Sequence, residues 1–272
     1  MTFNLWSNAN NSKGYHFFPG TTNVAIPNDC NLTFFNGVKD VGMDSNYEQP
    51  EIVIWRKEQA PTEQKQWVEN GPTIIERDEF FTKRGYDKII KAFGAWKPIR
   101  FELKQDINLG IGNNYRVTFP LFSDPVITMA GGGLKFLATD PKSVQARINI
   151  LNRETGDVVS SDWYDGTVIK PLQYTDVKME FIAKVVKVSI AIEFKGIHGL
   201  QSNGVFIGNP ELIDLGVGTT ISETSSVVPP TELDMLERLV ESSLSDLSLA
   251  NMLVDQVWSK LGMVKGKIQQ LK

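Results

Sequence analysis

Pro98-Ile-Arg-Phe-Glu-Leu-Lys-Gln-Asp-Ile-Asn-Leu-Gly-Ile-Gly-Asn-Asn-Tyr-Arg-Val-Thr-Phe-Pro-Leu121 decides the fold class. Phe101, Leu103, Ile107 and Leu109 alternate with polar residues, and Tyr115, Val117, Phe119 and Leu121 alternate with Arg116, Thr118 and Pro120. A period of two sends successive side chains to opposite faces, so both runs read as strands with one face buried and one wet. The same period holds at Ala146, Ile148 and Ile150, separated by Arg147 and Asn149. Met179, Phe181 and Ala183 share one parity, whereas Val186, Val188, Ile190, Ile192 and Phe194 take the other, which requires a bulge or tight turn near Lys184-Val185. Asn152-Arg-Glu-Thr-Gly156 supplies a hairpin loop. Turn signals recur about every eight to twelve residues. With no helical pattern between them, residues 96–215 are expected to form an antiparallel β-sandwich.

Toward the N-terminus, residues 1–95 read as an irregular α+β segment, a docking arm or small domain apart from the sandwich. Short apolar bursts at Tyr15–Phe18, Leu32–Phe35 and Ile52–Trp55 predict strands. Pro61-Thr62-Glu63 predicts a short helix through Trp67, and Asp78 caps a second through Phe81, Ile89, Ile90 and Phe93, broken near Gly85 and stopped at Gly94. Toward the C-terminus, residues 216–230 are small, polar and β-branched and end in Pro229-Pro230, the composition of an extended linker.

Beyond the linker, residues 231–272 repeat every seven positions. The a positions are Leu233, Val240, Leu247, Val254, Leu261 and Ile268; the d positions are Leu236, Ser243, Ala250, Val257, Val264 and Leu271. A strict heptad under-winds the helix and drives left-handed supercoiling, so a coiled-coil oligomerisation helix is expected. Val257 and Val264 at d favour a homotrimer over a parallel dimer. Acids (Glu232, Asp234, Glu237) crowd the start and lysines (Lys260, Lys265, Lys267, Lys272) the end, as the helix dipole prefers.

The chemistry-bearing residues are sparse. The chain has 272 residues with 28 Lys+Arg and 32 Asp+Glu, a net charge of −4, and no clustered basic stretch, so nucleic acid is not an expected partner. No run approaches the length of a membrane span and the start lacks a secretory pattern, so synthesis in the cytoplasm without membrane insertion is expected. One cysteine, Cys30, allows no internal disulfide and is expected to be packed. Only His16 and His198 are available to a nucleophile, and neither has a partner by spacing. Met129-Ala-Gly-Gly-Gly-Leu134 lacks the Lys-Ser/Thr of a phosphate loop. No cofactor and no metal site are expected. The best ligand candidates are Asp162, Trp163, Tyr164 and Asp165, where two aromatics able to stack on a sugar stand between two acids in a polar loop. Trp67 and Trp96 are further aromatics, with Trp96 expected to be buried at the head of the sandwich.

Three segments resemble a known family. Pro98 to Phe119 is similar to a strand pair around a turn, with a Gln-x-x-x-Leu stretch before the turn and Tyr-x-Val-x-Phe after it. Tyr174 to Ala183 with Val186 to Phe194 is similar to the later strand pair, and Gly204-Val-Phe-Ile-Gly-Asn-Pro-Glu-Leu-Ile213 to the closing strand. Together they resemble jelly-roll carbohydrate-binding modules, a fold also found in bacteriophage tail, baseplate and fibre proteins. The resemblance implies a mainly β jelly-roll sandwich. It departs from the family where a calcium-binding acid often stands, which is Gly208 here, and in lacking the usual Asn-Gly-x-Phe-Glu opening motif. From the resemblance and the heptads together, the expected role is a non-enzymatic virion structural protein of a bacteriophage, located in the virion and contacting itself and other virion proteins. The alternative is a module that recognises surface glycan through Trp163 and Tyr164, and less favoured is a glycan-cleaving enzyme.

Overall fold

The structure is a computed structural model that describes residues 4–11, 13–128 and 134–217. The described residues belong to one compact unit. Of the linker expected at 216–230, Gly216 and Val217 are corrected to the end of the last strand, where they pair with Asn114 and Asn113; the rest of it, the heptad seam from Leu233 to Leu271, and Met129 to Gly133 lie outside the described residues.

The described strands, in chain order, begin with the hairpin β1 (Tyr15–Phe17) and β2 (Ala25–Pro27), followed by β3 (Asn31–Phe34) and β4 (Glu51–Arg56). A second small hairpin, β5 (Gln64–Gln66) and β6 (Thr73–Ile75), leads into the single-turn helix α1 (Glu76–Phe80). Then come β7 (Lys88–Phe93), β8 (Ile99–Asn108), β9 (Asn113–Thr128), β10 (Lys135–Leu137), β11 (Gln145–Asn152) and β12 (Val158–Ser160). The last four are β13 (Thr175–Ile182), β14 (Lys187–Gly196), β15 (Ser202–Ile207) and β16 (Glu211–Val217).

Two antiparallel sheets carry the fold. A five-stranded sheet runs β12-β11-β14-β8-β3, and a seven-stranded sheet runs β10-β9-β15-β7-β4, with β13 and β16 also paired to the long β9. One hydrophobic cluster joins their inner faces: Phe101, Leu103, Ile148, Ile190, Ile192 and Phe194 from the first meet Tyr115, Val117, Phe119, Leu121, Val205 and Ile207 from the second. The described chain is therefore mainly β and antiparallel, a sandwich closed by the alternating residues that the sequence marked.

Parity changes between Ala183 and Val186 because the chain leaves one sheet for the other. β13 pairs with β9 and β14 pairs with β8. Ala183 and Val186 close the turn by accepting from Gly112 N and Leu109 N, both at 2.8 Å. The hairpin loop at Asn152–Gly156 joins β11 to β12, with Gly156 at φ 82°.

The expected boundary at residue 96 is corrected by strand pairing. β3 pairs with β8 at one edge of the five-stranded sheet, and β4 and β7 extend the seven-stranded sheet beside β15, so residues before 96 are built into both layers. The expected helix at 61–67 is the strand β5, paired with β6. The helix expected from Asp78 to Phe93 is only α1 and a 3-10 turn at Thr82–Arg84, which ends at Gly85 with φ 68°; Ile89, Ile90 and Phe93 belong to β7.

The physical reason is burial on two faces. A second cluster covers the outer side of the seven-stranded sheet, where Ile89, Phe122 and Phe206 pack on Phe80, Phe81, Val68 and Ile74 of the 57–86 segment. Their neighbours Ile90, Leu121, Val205 and Ile207 face the main core. A strand buried on both sides shows a continuous apolar run and no period of two.

Trp96 also departs from expectation. It is 63% exposed and sits at φ 61°, held by donating its N–H to Leu200 O at 2.6 Å.

Candidate functional site

The outer face of the five-stranded sheet carries the most organised polar surface. On β8, Ile99, Phe101 and Leu103 point inward, which leaves Arg100, Glu102, Lys104 and Asp106 outward. By the same alternation β14 presents Ser189, Ala191, Glu193 and Lys195, and β11 presents Arg147, Asn149 and Leu151. Register sets these into cross-strand rows. Arg147, Glu193 and Glu102 stand abreast, as do Asn149, Ala191 and Lys104, then Leu151, Ser189 and Asp106. Ala191 is the shortest side chain in the middle row. The hollow above it is a cleft of about 380 Å³, bordered by Phe35 on one side and Val158 and Ser160 of β12 on the other.

Glu193 anchors the floor, with its side chain 2% exposed. Its Oε1 accepts from Arg100 Nε at 2.8 Å and lies 2.6 Å from Arg100 Nη2; its Oε2 accepts from Arg147 Nε at 2.7 Å and Asn149 Nδ2 at 3.1 Å. Burial is the largest influence on this carboxyl and opposes its ionisation. The bonds from Arg147, Arg100 and Asn149 together outweigh it and hold Glu193 below the usual carboxylate range.

Asp40 continues the chain of charges by accepting from Arg100 Nη1 at 3.2 Å, Lys195 Nζ at 2.7 Å and Tyr47 Oη at 3.0 Å. Burial again pushes its carboxyl upward, and Lys195, Tyr47 and Arg100 reverse the push. The indole of Trp163 closes the ring, 4.6 Å from the Arg147 guanidinium and 4.2 Å from Lys195 Nζ. Ser160 Oγ donates to Asn149 Oδ1 at 2.7 Å and Ser189 Oγ to Asp106 Oδ1 at 2.5 Å, so the floor is pre-set without a ligand.

The four loop residues nominated from sequence do not converge. Residues 163 and 164 are consecutive in an extended segment, where Tyr164 exchanges both backbone hydrogen bonds with Ala146, and they take opposite sides. Trp163 lies over the cations of the cleft. Tyr164 packs on the main core and donates its hydroxyl to Lys178 O at 2.5 Å. Asp165 is occupied within its own turn, accepting from Thr167 N at 2.9 Å and Thr167 Oγ1 at 2.5 Å, and Asp162 is exposed. Trp67 is tilted against Phe80 in the second cluster. Sequence reading missed Arg100, Lys104, Arg147, Asn149, Ala191 and Glu193. Their signal was present as the polar phase of the same alternation that marked the strands.

Elsewhere the chemistry is structural. His198 Nε2 meets Asp140 Oδ2 at 2.6 Å, and this bond is the main reason that the Asp140 carboxyl is held low. Cys30 is buried, and burial pushes its thiol up to about 12. Gly208, where the resemblance would place an acid, is covered by the Tyr86 ring, and a Cβ there would stand 2.5 Å from the nearest ring carbon. Among the described residues no group of three or more His, Cys, Asp and Glu is arranged to hold a metal ion. No described helix is long and apolar enough to cross a membrane.

No protein-family model matches the chain, and no curated protein matches it. Several solved structures are similar to the chain. TmCBM61, solved in complex with β-1,4-galactotriose, is 13% identical over 78% of this chain and 99% of its own, with a TM-score of 0.43. The Stig cyclase Fisc from Fischerella sp. TAU is 14% identical over 80% of this chain and 100% of its own, also at 0.43. The enzymatically active domain of bacteriophage CBA120 tailspike protein 4 is 9% identical over 69% of this chain, which spans only 20% of that one, at 0.39.

Proposed function

We propose that the chain is a non-enzymatic glycan-binding module whose site is the cleft on the outer face of the five-stranded sheet. The observation that supports it most directly is the pre-set polar floor. Donors and acceptors from three adjacent strands line an open hollow above Ala191, at the spacing of a sheet, beside the aromatic ring of Phe35. Hydroxyl-rich chains need such fixed hydrogen-bonding partners and an apolar ring to lie on. Glu193 and Asp40 are held ionised by several donors each, which suits them to buttress cations and not to exchange protons with a substrate.

Filling the hollow tests the site. Ala191→Phe places a ring where the ligand would lie and leaves the ion pairs in place. Full-length protein should bind at least one polysaccharide on a glycan array, and the variant should lose that binding with an unchanged β-sheet circular dichroism spectrum. Equal binding by both would remove the cleft from the reading.

The heptads at 233–271 support a second element of the proposal, that several copies assemble as a homotrimer and multiply weak single-site contacts. A place in a bacteriophage virion remains part of this proposal, supported by the heptad helix and the jelly-roll resemblance in sequence. Mass spectrometry of purified virions tests it.

A further inference from the structure

We infer that the cleft selects glycans carrying anionic groups, a carboxylate foremost; this rests on the reading of the cleft as a glycan site. The argument starts from which charges the network leaves unspent. Arg100 uses Nε and Nη2 on Glu193 and Nη1 on Asp40, and Lys195 is spent on Asp40. Asp106 is met by Ser189 and by Arg153 at 3.1 Å. Arg147 gives only Nε to Glu193, so its two terminal nitrogens find no acceptor among the described residues. Lys104 Nζ has its nearest carboxylate, Glu102 Oε1, at 4.0 Å, beyond hydrogen-bond reach.

These two cations stand on the strands that flank β14, Lys104 on β8 abreast of Ala191 and Arg147 on β11 one row away beside Glu193, with side chains 29% and 30% exposed. The Arg147 guanidinium carbon lies 4.6 Å from the Trp163 ring centroid, and its two uncommitted terminal nitrogens are the pair that can grip a carboxylate with two parallel bonds. The lining carries Arg100, Lys104 and Arg147 against Glu102 and Glu193, a local excess of positive charge in a chain whose net charge is −4. A neutral sugar seated here would strip water from Arg147 and Lys104 and return only uncharged acceptors. An anion returns charge-assisted bonds to both.

The experiment titrates the full-length protein with polygalacturonate, dextran sulfate and neutral dextran and galactan, at about 50 and about 500 mM NaCl. An acidic chain should bind roughly tenfold more tightly than the neutral ones, and the advantage should shrink several-fold at high salt. Because Arg147 also braces Glu193, Lys104→Gln carries the decision: it touches no hydrogen bond of the floor and should weaken acidic binding roughly tenfold without altering the circular dichroism spectrum. Arg147→Lys should retain more acidic binding than Arg147→Gln. Preference for dextran sulfate over polygalacturonate would keep an anionic ligand and make it a sulfate ester. Equal, salt-insensitive binding of neutral and acidic chains would overturn this inference and leave the glycan site standing. Binding to none of them would overturn both.

Discussion

Asp124 should make the protein lose stability as the solution becomes more alkaline, and Asp124→Asn should abolish that loss. The carboxyl lies on β9 on the same face as Phe122 and Val126, within the second hydrophobic cluster, and is 5% exposed. Opposite it on β15 stands Gly204, where a Cβ would come within 2.0 Å of Asp124 Oδ1, so the carboxyl fills the space a side chain would need. Burial raises its pKa above the ordinary 3.8, and Lys91, Ser202 and the Gly204 N–H return only part of the shift, leaving it at about 7. Between those two values the unfolded chain releases this proton and the folded chain keeps it. Stability is therefore full below about pH 4, falls as pH rises through the folded pKa, and levels off above it. About three units at 1.36 kcal/mol each sets the loss on the order of 4 kcal/mol. Asparagine keeps the shape and can still accept from Ser202, whose Oγ lies 3.2 Å from Oδ1. Urea unfolding of both proteins from pH 4 to pH 9 measures the difference directly, and the comparison cancels the opposite slopes of Glu193 and Asp40. The variant should match the wild type near pH 4 and exceed it by several kcal/mol at pH 8. A difference that is constant across pH, or that favours the wild type at pH 8, would refute the account of a neutral buried carboxyl.

Glu193→Ala should cost about 3–5 kcal/mol, because it leaves Arg100 and Arg147 facing each other without their shared counter-charge; a loss below 1 kcal/mol in chemical denaturation would show the floor is not an ion-pair network. Glu193 is held low in the folded state, so its contribution is present above the ordinary carboxylate range and should disappear on acidification, visible as a Tm that falls with pH in the wild type more than in Glu193→Gln. Gly208→Ala should destabilise by about 1–3 kcal/mol, since the Tyr86 ring must move to admit the methyl group; an unchanged Tm would show that the ring yields freely. On the proposed assembly through the heptads, Leu261→Asp should lower the sedimenting mass of the full-length protein while leaving the β-sheet spectrum intact, by placing a charge at an apolar heptad position; an unchanged mass, or loss of the spectrum, would refute the heptads as the assembly element.

By itself the sequence determined the strands that have one wet face. Arg100 to Asp106, Arg147 to Leu151 and Ser189 to Lys195 alternate because a sheet facing a core on one side and water on the other demands it, and the parity change before Val186 announced a turn. Local pattern failed at Ile89-Ile90, because a segment enclosed between two hydrophobic clusters has no wet side to impose a period. The cleft was beyond local reading for a different reason. Arg100 lies 93 residues from Glu193 and Arg147 lies 46, so their convergence depends on strand order and register. Composition could mark Trp163 and Tyr164 as a polar-loop pair, but only the backbone pairing with Ala146 turned one ring to the cations and the other to the core. Alternation is a property of neighbours in the chain, whereas a binding surface is made by neighbours in space, and the pairing of β11, β14 and β8 is what converts one into the other.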